Sequence, residues 1–482
     1  MKKLILAAFL LLSASTALQA GGLLTNTNQT IAFLRNPARE ASLEIDAAYS
    51  NPAGIQFLEK GFHFSLNIQN VYQERKINTT FAPYAGFGGS DTKLFNATTS
   101  VPVLPSIQAA YVTDKWAISG SIAITGGGGK ATFNNGLGSF ESQVSLIPAL
   151  LSQNGIPATQ YSVDSYIFGR QYIIGAQIGA SYKVNDHLSV YAGGRMNYTT
   201  NSYYGYVKDI QANILSDGAG GTQMVNLSSY FTTVGEQALT AANSFKEAGD
   251  MAKYSEYLQK AGQAAALAGQ TADKNLDCDQ SGWGLTPIIG FDYKIGKFNF
   301  GAKYEFNTHM NIENQTKVDD TGLFADGVNT PHDIPALLAF GATYEILPTL
   351  RISAGYHHFF DKSASMASNK QEHLTKGTNE FLGGIEYDVC PWAQVSIGIQ
   401  STDYGLSDAY MNDMSFATDS YSIGFGAGFM LSKAVKLNVA YFFTNYEHYN
   451  KTQADFSGTG LPYQEDFTRD NKVVGVGVNY KF

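Results

Sequence analysis

From residue 62 onward the chain alternates between apolar and polar positions over short stretches. Phe64, Leu66 and Ile68 fall on one side of an extended strand, and His63, Ser65, Asn67 and Gln69 on the other, because successive side chains of a strand point to opposite faces. The period returns in Phe298, Phe300, Ala302, Tyr304 and Phe306 against Asn299, Gly301, Lys303, Glu305 and Asn307. It returns again in Leu350, Ile352, Ala354 and Tyr356 against Arg351, Ser353, Gly355 and His357, and in Val435, Leu437, Val439 and Tyr441 against Lys436 and Asn438. The chain ends the same way, with Val474, Val476, Val478, Tyr480 and Phe482 on one face and Gly475, Gly477, Asn479 and Lys481 on the other. One face of each strand suits lipid and the other water, which is the pattern of a transmembrane β-strand. A basic group turned toward lipid costs about 2 to 4 kcal/mol near the midplane. Lys303, Glu305 and Arg351 are therefore expected to face a lumen.

Between these strands, short connections alternate with long ones, as in bacterial barrels with short inner turns and longer outer loops. The short turns are predicted around Thr113, Asp114 and Lys115; Asn185, Asp186 and His187; Gly296 and Lys297; Leu347 and Pro348; Cys390 and Pro391; and Leu431, Ser432 and Lys433. Six turns join twelve strands, and one strand at each end, about 61–76 and 470–482, brings the total to fourteen. The expected fold is all-β: a 14-stranded antiparallel transmembrane β-barrel over residues 61–482. Outer loops fall at about 77–99, 126–165, 208–280, 317–333, 365–377, 405–418 and 451–468. The third is the longest. Its stretch 235–270 is rich in Ala, Gln, Glu and Lys, lacks Pro, and places Phe245, Ala248, Ala252 and Leu267 among polar residues, which predicts one or two helices packed on the barrel rim.

The two ends agree with a membrane address. Lys2 and Lys3 precede an apolar run at 4–12, and Ala17, Leu18, Gln19 and Ala20 close a small-residue segment, the form of a secretory signal peptide over 1–20. No Cys follows it, so a lipoprotein is not suggested. Beyond it no stretch reaches the ~20 apolar residues a membrane helix needs. Only a closed barrel then remains, because an open sheet would leave unpaired edge amides in hydrocarbon. A last strand ending on Phe482 resembles the signal read by the barrel-assembly machinery, which places the protein in the outer membrane of a Gram-negative bacterium. Expected neighbours are membrane lipid and lipopolysaccharide, with the chain a monomer.

The 482 residues include 49 Gly, 29 Tyr and 30 Phe with only 15% charged residues, a mix that fits aromatic strand ends and glycine-lined turns and lumen. The net charge of −9 and the lack of a basic patch exclude nucleic acid, which needs clustered Lys and Arg. Cys278 and Cys390 are the only cysteines; they fall at opposite ends of the barrel, out of disulfide reach.

Residues 21–60 carry neither a strand pattern nor a linker composition. They contain Asn36, Pro37, Ala38 and Arg39, and later Asn51, Pro52, Ala53 and Gly54, turns in which Pro fixes the backbone and Gly frees it. The segment is expected to fold inside the barrel as a plug. Arg35, Arg39, Glu40, Glu44 and Asp46 are expected to pair with Lys303, Glu305 and Arg351 of the lumen, and Gly475 and Gly477 to leave it room.

The stretch Asp46, Ala47, Ala48, Tyr49, Ser50, Asn51, Pro52, Ala53, Gly54 resembles the amino-terminal hatch of the FadL/TodX outer-membrane transport proteins. The likeness runs on through Pro105 with Ala109, Ala110 and Tyr111; Asp114, Lys115, Trp116 and Ala117; Ile334 and Pro335 with Gly341 and Tyr344; Ser353, Ala354, Gly355 and Tyr356; and Tyr421, Ser422, Ile423, Gly424, Phe425, Gly426, Ala427 and Gly428. It covers most of the chain after the leader, with the loops least alike. The resemblance implies passive uptake of long-chain fatty acids or other hydrophobic molecules, captured by outer loops, held in a barrel pocket and released sideways at an inward kink of the third strand. That strand, 116–125 here, runs into Gly126, Gly127, Gly128 and Gly129, where family members often carry Pro or an aromatic before Gly. The glycines either bend the strand or turn the chain into the second loop.

No nucleotide, cofactor or metal motif is visible. A general porin is the competing reading and would need an open polar lumen. An outer-membrane hydrolase is a weaker one, since His187, His357 and His358 have no partner motif. Tyr198, Tyr203, Tyr204 and Tyr206 suit an interfacial girdle, and no loop residue stands out as ligand-binding.

Overall fold

The computed structural model describes residues 23–25, 28–86, 89–215 and 222–482. The leader and its Ala20 lie outside the described residues. Fourteen strands follow in order: β1 Gly61–Phe81, β2 Thr92–Val112, β3 Trp116–Phe133, β4 Tyr161–Lys183, β5 Leu188–Leu215, β6 Lys274–Ile295, β7 Phe298–Glu305 continued by Asn311–Asp319, β8 Asn329–Pro331 continued by Leu337–Leu347, β9 Leu350–Phe359, β10 Asn379–Cys390, β11 Ala393–Asp403, β12 Ser420–Met430, β13 Val435–Tyr446 continued by Tyr449–Gln453, and β14 Tyr463–Lys481. Each is antiparallel to its neighbour, and β14 closes the ring on β1 in a ladder from Phe81 opposite Tyr463 to His63 opposite Lys481. At the end of that seam the Phe482 amide donates to the Phe62 carbonyl at 2.9 Å, and the two rings lie 5.3 Å apart.

All six predicted turns join the strands expected of them. The outer loops differ from expectation: strands continue beyond the lipid in five places, where the connections shrink to residues 82–91, 134–160, 216–273, 320–328 and 454–462, whereas the other two widen slightly to 360–378 and 404–419. Apolar outward positions mark a strand only where lipid covers it. Above that level β5, 28 residues long, is held by ladder hydrogen bonds and its outward side chains turn polar. The alternation lines up as predicted. Lys303 and Glu305 are buried in the interior, whereas Val103, Ile178, Phe381, Ile399 and Val474 stand exposed on the outside as a belt that only lipid can cover. No described helix is long and apolar enough to cross a membrane.

Six α-helices lie among the described residues: α1 Ile31–Arg35, α2 Ala47–Ser50, α3 Gly138–Ser145, α4 Ile147–Gln153, α5 Leu227–Glu247 and α6 Met251–Gln270. The last two form the hairpin of the third loop, which starts eight residues before the expected 235, where Asn226 caps α5 by accepting the Ser229 amide at 3.0 Å. Its feet pack on the rim through Leu227, Phe231 and Ala268 against Ile210, Ala212, Ile147 and Leu151. Cys278 is buried near the outer end of β6 and Cys390 ends β10 at an inner turn; both are free.

Candidate functional site

Residues 29–42 and 45–56 are almost entirely buried within the ring of strands. Helix α1 begins where the Thr30 hydroxyl accepts the Phe33 amide at 3.2 Å and stops at Asn36, which is extended as a residue before proline must be. Asn36 and Pro37 then lie against Gly384 and Gly398 of the wall, where a Cβ would collide with them. Gly475 and Gly477 do the same for Ile31, so the barrel's interior glycines form the segment's footprint.

The four residues Asn51, Pro52, Ala53 and Gly54 tie the segment to three strands. The Asn51 amide donates to the carbonyls of Glu40 and of Phe291 on β6, both at 3.0 Å. Ser181 on β4 donates to the Pro52 carbonyl at 2.6 Å, and Ser189 on β5 to the Ala53 carbonyl. Pro52 opens a 3-10 turn, Pro52–Phe57, where its missing N–H costs nothing, and Gly54 packs on the Ser42 carbonyl where a side chain would not fit.

The charged residues of the segment are paired, but with partners other than those expected. Arg39 bonds Asp46 of its own segment at 2.7 Å and Glu386 on β10 at 3.4 Å, and Arg35 lies 3.6 Å from the same Glu386. Glu44 pairs with Lys436 at 2.7 Å and Glu40 with His357 at 2.7 Å. Lys303 and Glu305 pair with each other at 2.6 Å, Glu305 also binds Arg195 at 2.6 Å, and Arg351 binds Asp388 at 2.7 Å. These three expected partners are thus satisfied by barrel-wall residues, and Lys303 meets the segment at Tyr49, donating to its carbonyl at 3.0 Å and lying 5.3 Å from the centre of its ring. Cross-strand neighbours were nearer to them than any charge on the segment. His357 holds Glu380 at 2.8 Å through its other nitrogen, so neither ring nitrogen is free to activate a nucleophile.

One seam of the wall is broken. Strand β2 pairs with β3 from Val112 opposite Ala117 to Ile107 opposite Ile122, and then only at Thr98 with Thr132 and Ala97 with Phe133. Over residues 99–106 the β2–β3 ladder is missing. Two causes lie in the sequence. Pro102 and Pro105 remove two donors from β2, while β3 carries register shifts at Ile124/Gly126 and Gly126/Gly129 against β4, with Gly127 and Gly129 at φ +94° and +72°. Gly126, Gly127, Gly128 and Gly129 thus lie inside a strand that runs on to Phe133, and the reading of them as a turn into the second loop is overturned. The prolines were readable as a mark of an unpaired edge.

Gln29 spans this break from inside. Its side-chain amide donates to the Ile124 carbonyl and accepts the Ile124 amide at 3.3 Å, while its own carbonyl accepts the Ser106 hydroxyl at 3.0 Å. One residue thereby replaces part of the absent ladder.

Behind the break lies a cavity of about 250 Å³, bordered on the gap side by Val101, Leu104, Ile124 and Gly126 and on the segment side by Leu24 and Phe33. A larger cavity of about 670 Å³ sits under the outer loops, with Phe140, Val144, Leu276, Met411 and Phe456 in its walls; Ile167 and Met414 border both spaces. Lys370 lines the outer cavity, where burial and the neighbouring Lys451 push its ammonium down to about 7. Among the described residues no group of His, Cys, Asp and Glu is placed to hold a metal ion. Tyr166, Tyr204 and Tyr206 stack on the outer surface across β4 and β5, as a girdle would, whereas Tyr203 is buried against Phe324.

No protein-family model matches the chain, and no curated protein sequence does. Solved structures do. A FadL homologue of Pseudomonas aeruginosa is similar at 14% identity over 96% of this chain and 100% of that one, with a TM-score of 0.59. The toluene transporter TodX of Pseudomonas putida is similar at 15% identity over 96% and 100%, with a TM-score of 0.53. The toluene transporter TbuX of Ralstonia pickettii follows at 14% identity over 95% and 99%, with a TM-score of 0.50. The chain has the fold of the FadL and TodX outer-membrane transport barrels.

Proposed function

We propose that this protein conducts hydrophobic small molecules, long-chain fatty acids among them, passively across the outer membrane of a Gram-negative bacterium. Cargo is captured in the cavity under the outer loops, passes into the cavity beside the amino-terminal segment, and leaves sideways through the β2–β3 gap. The observation that carries this reading is the broken ladder over residues 99–106 in front of a cavity whose gap side is lined by Val101, Leu104 and Ile124. An acyl chain gains about 0.8 kcal/mol per methylene on leaving water, so a dry pocket that opens to lipid favours it where a water-filled channel would not.

The amino-terminal segment acts as the hatch, with Asn51, Pro52, Ala53 and Gly54 as its anchor, and closes the lumen to polar solutes. The general-porin reading is disfavoured by the same buried segment, which fills the space a steady aqueous path requires. The protein works as a carrier rather than an enzyme, without cofactor. It reaches the membrane through the leader ending at Ala20, is inserted by the barrel-assembly machinery through the strand ending at Phe482, and stands as a monomer among lipid and lipopolysaccharide. The names of two solved relatives, both toluene transporters, keep monoaromatic hydrocarbons among the candidate cargoes. The decisive experiment is uptake of radiolabelled oleate and toluene by a strain lacking its own carrier. Uptake of at least one should rise on expression of this chain. If neither rises while the folded barrel is in the outer membrane, the reading is wrong.

A further inference from the structure

The outward face of β3 and β4 changes character at one height. On β4 the outward positions from Tyr182, beside the inner turn, to Tyr172 are all apolar or aromatic, Ile178 and Ile174 among them. Residues 172–182 number 11, and a tilted strand needs ~9–11 to cross the hydrocarbon. Arg170 is the next outward residue, and Lys130 on β3 stands directly opposite it in the ladder, both exposed. Like charges placed so are destabilising. Asp277 and Asp279 on β6 share this face, but Lys317 holds both, at 3.4 and 3.2 Å, which leaves Lys130 and Arg170 with no carboxylate in ion-pair distance among the described residues.

Beyond the two cations the face becomes a plate of aromatic rings. Phe168 lies opposite Tyr204 and Tyr166 opposite Tyr206; the first pair stacks at 5.8 Å between ring centres and the second at 5.7 Å. Lys130 sits 4.1 Å from the centre of the Phe168 ring, and Lys208, itself opposite Asp164, sits 4.5 Å from that of Tyr206. Positive charge thus bounds the plate at its inner and outer edges. Acyl chains end below this level. Flat rings that lipid does not cover pack against the C–H faces of sugar rings, and phenol hydroxyls bond sugar oxygens.

We infer that this outward face of β3, β4 and β5 is a binding site for the phosphorylated glycolipid of the outer leaflet, lipopolysaccharide. Three chemistries are stacked along it in the order of that molecule: an apolar strip for acyl chains, a pair of cations for the phosphate on the innermost sugars, and a plate of rings for the sugars farther out. A phosphate accepts two parallel bonds from a guanidinium and meets an ammonium as a point charge, so one such anion between Lys130 and Arg170 relieves their repulsion. A phospholipid would fill the lower two levels and leave the plate bare, and a free sugar would fill the plate alone. The inference rests on the outer-membrane placement and on neither the cargo nor its route, so failure of the uptake experiment leaves it standing.

The test titrates the full-length protein in detergent micelles with three probes, rough lipopolysaccharide (lipid A with its inner-core sugars), lipid A, and phosphatidylglycerol, and counts bound lipid by native mass spectrometry. The wild type should bind rough lipopolysaccharide most tightly, lipid A next and phosphatidylglycerol least. In the double variant Lys130→Gln, Arg170→Gln the affinity for the first two should fall by roughly 10- to 100-fold, the range for losing hydrogen bonds to a charged group, and Lys130→Arg, Arg170→Lys should keep most of it. In Phe168→Leu, Tyr204→Leu rough lipopolysaccharide should drop to the level of lipid A, with lipid A unchanged. A wild type that binds phosphatidylglycerol or lipid A as tightly as rough lipopolysaccharide overturns the site. So does an order of affinities that survives in the Gln variant. The wild-type order alone decides the matter if a variant does not fold.

Discussion

Residues 31–57 and the described residues 23–25 and 28–30 share one lumen, yet they are held in different ways. The first stretch is locked by charge and amide bonds to β4, β5, β6, β9, β10 and β13: Arg39 with Asp46 and Glu386, Glu40 with His357, Glu44 with Lys436, and Asn51 with Phe291. Among its described residues, the second stretch meets β2 and β3 through the hydrogen bonds of Gln29 and the apolar side chain of Leu24. Buried ions resist displacement because removing one partner strands the other in a dry interior. An amide and an alkyl contact resist far less. The difference separates a stretch that stays from a stretch that can yield, and it puts the yielding part where the wall is already open.

Breaking the locked side should have the largest effect. Arg39→Met leaves Asp46 and part of Glu386 without their cation, a loss of about 3 to 5 kcal/mol for a buried pair. Single-channel recording should then show a large steady conductance in a barrel that still migrates as a folded species, whereas an unchanged trace would mean that the charge cluster is not what keeps the segment in place. On the opposite side, Gly127→Val puts a side chain against the Gln171 carbonyl at a φ of +94° and should cost roughly 1 to 3 kcal/mol. Here the expectation is loss of uptake without any rise in conductance; uptake at the wild-type rate would deny the bend a role. Gln29→Ala is a smaller perturbation, about 1 kcal/mol for the lost bonds. Hydrogen exchange at the Ile124 amide should speed up several-fold while Phe291 and Ala47 stay protected, and equal acceleration at both would erase the contrast between the two stretches.

The smallest effect concerns the outer cap. Lys370 holds its proton less tightly folded than unfolded, its value of about 7 lying below the usual 10.5. Between those two values the unfolded cap binds more protons, so cap stability rises with pH through that window. Lys370→Met should flatten this rise, as seen in the pH profile of protease nicking within residues 360–378; a profile identical to wild type would show that the ammonium is not in the buried place described.

The membrane-level architecture was legible because lipid enforces a period of two that no other solvent demands. Six turns, fourteen strands, the inward Lys303 and Glu305, and the closure of Phe482 on Phe62 all follow from that rule. Strand ends were misjudged wherever β1, β3 or β5 rises above the lipid, since nothing outside the bilayer selects apolar side chains there. The charge partners of Arg35, Arg39, Glu40 and Glu44 depend on how the segment is rotated within the lumen, and that is set by glycines spread over strands far apart in sequence, such as Gly384, Gly398 and Gly475. The gap was half visible: the glycines of β3 mark one side of it, while Pro105 enters the sequence reading only through the family likeness and Pro102 not at all, although the two prolines on the facing strand complete the break.

Gly475 and Gly477 press on Ile31, so the last strand of the chain rests on the first described helix. A translating ribosome makes these two pieces at opposite ends of its work, and neither has a complete surface until the other arrives. The helix therefore serves as a mandrel, and the sheet rolls shut as this core seats within it. Contacts joined across such a separation form late in folding, which makes closure of the ring and burial of the segment a single final event rather than two.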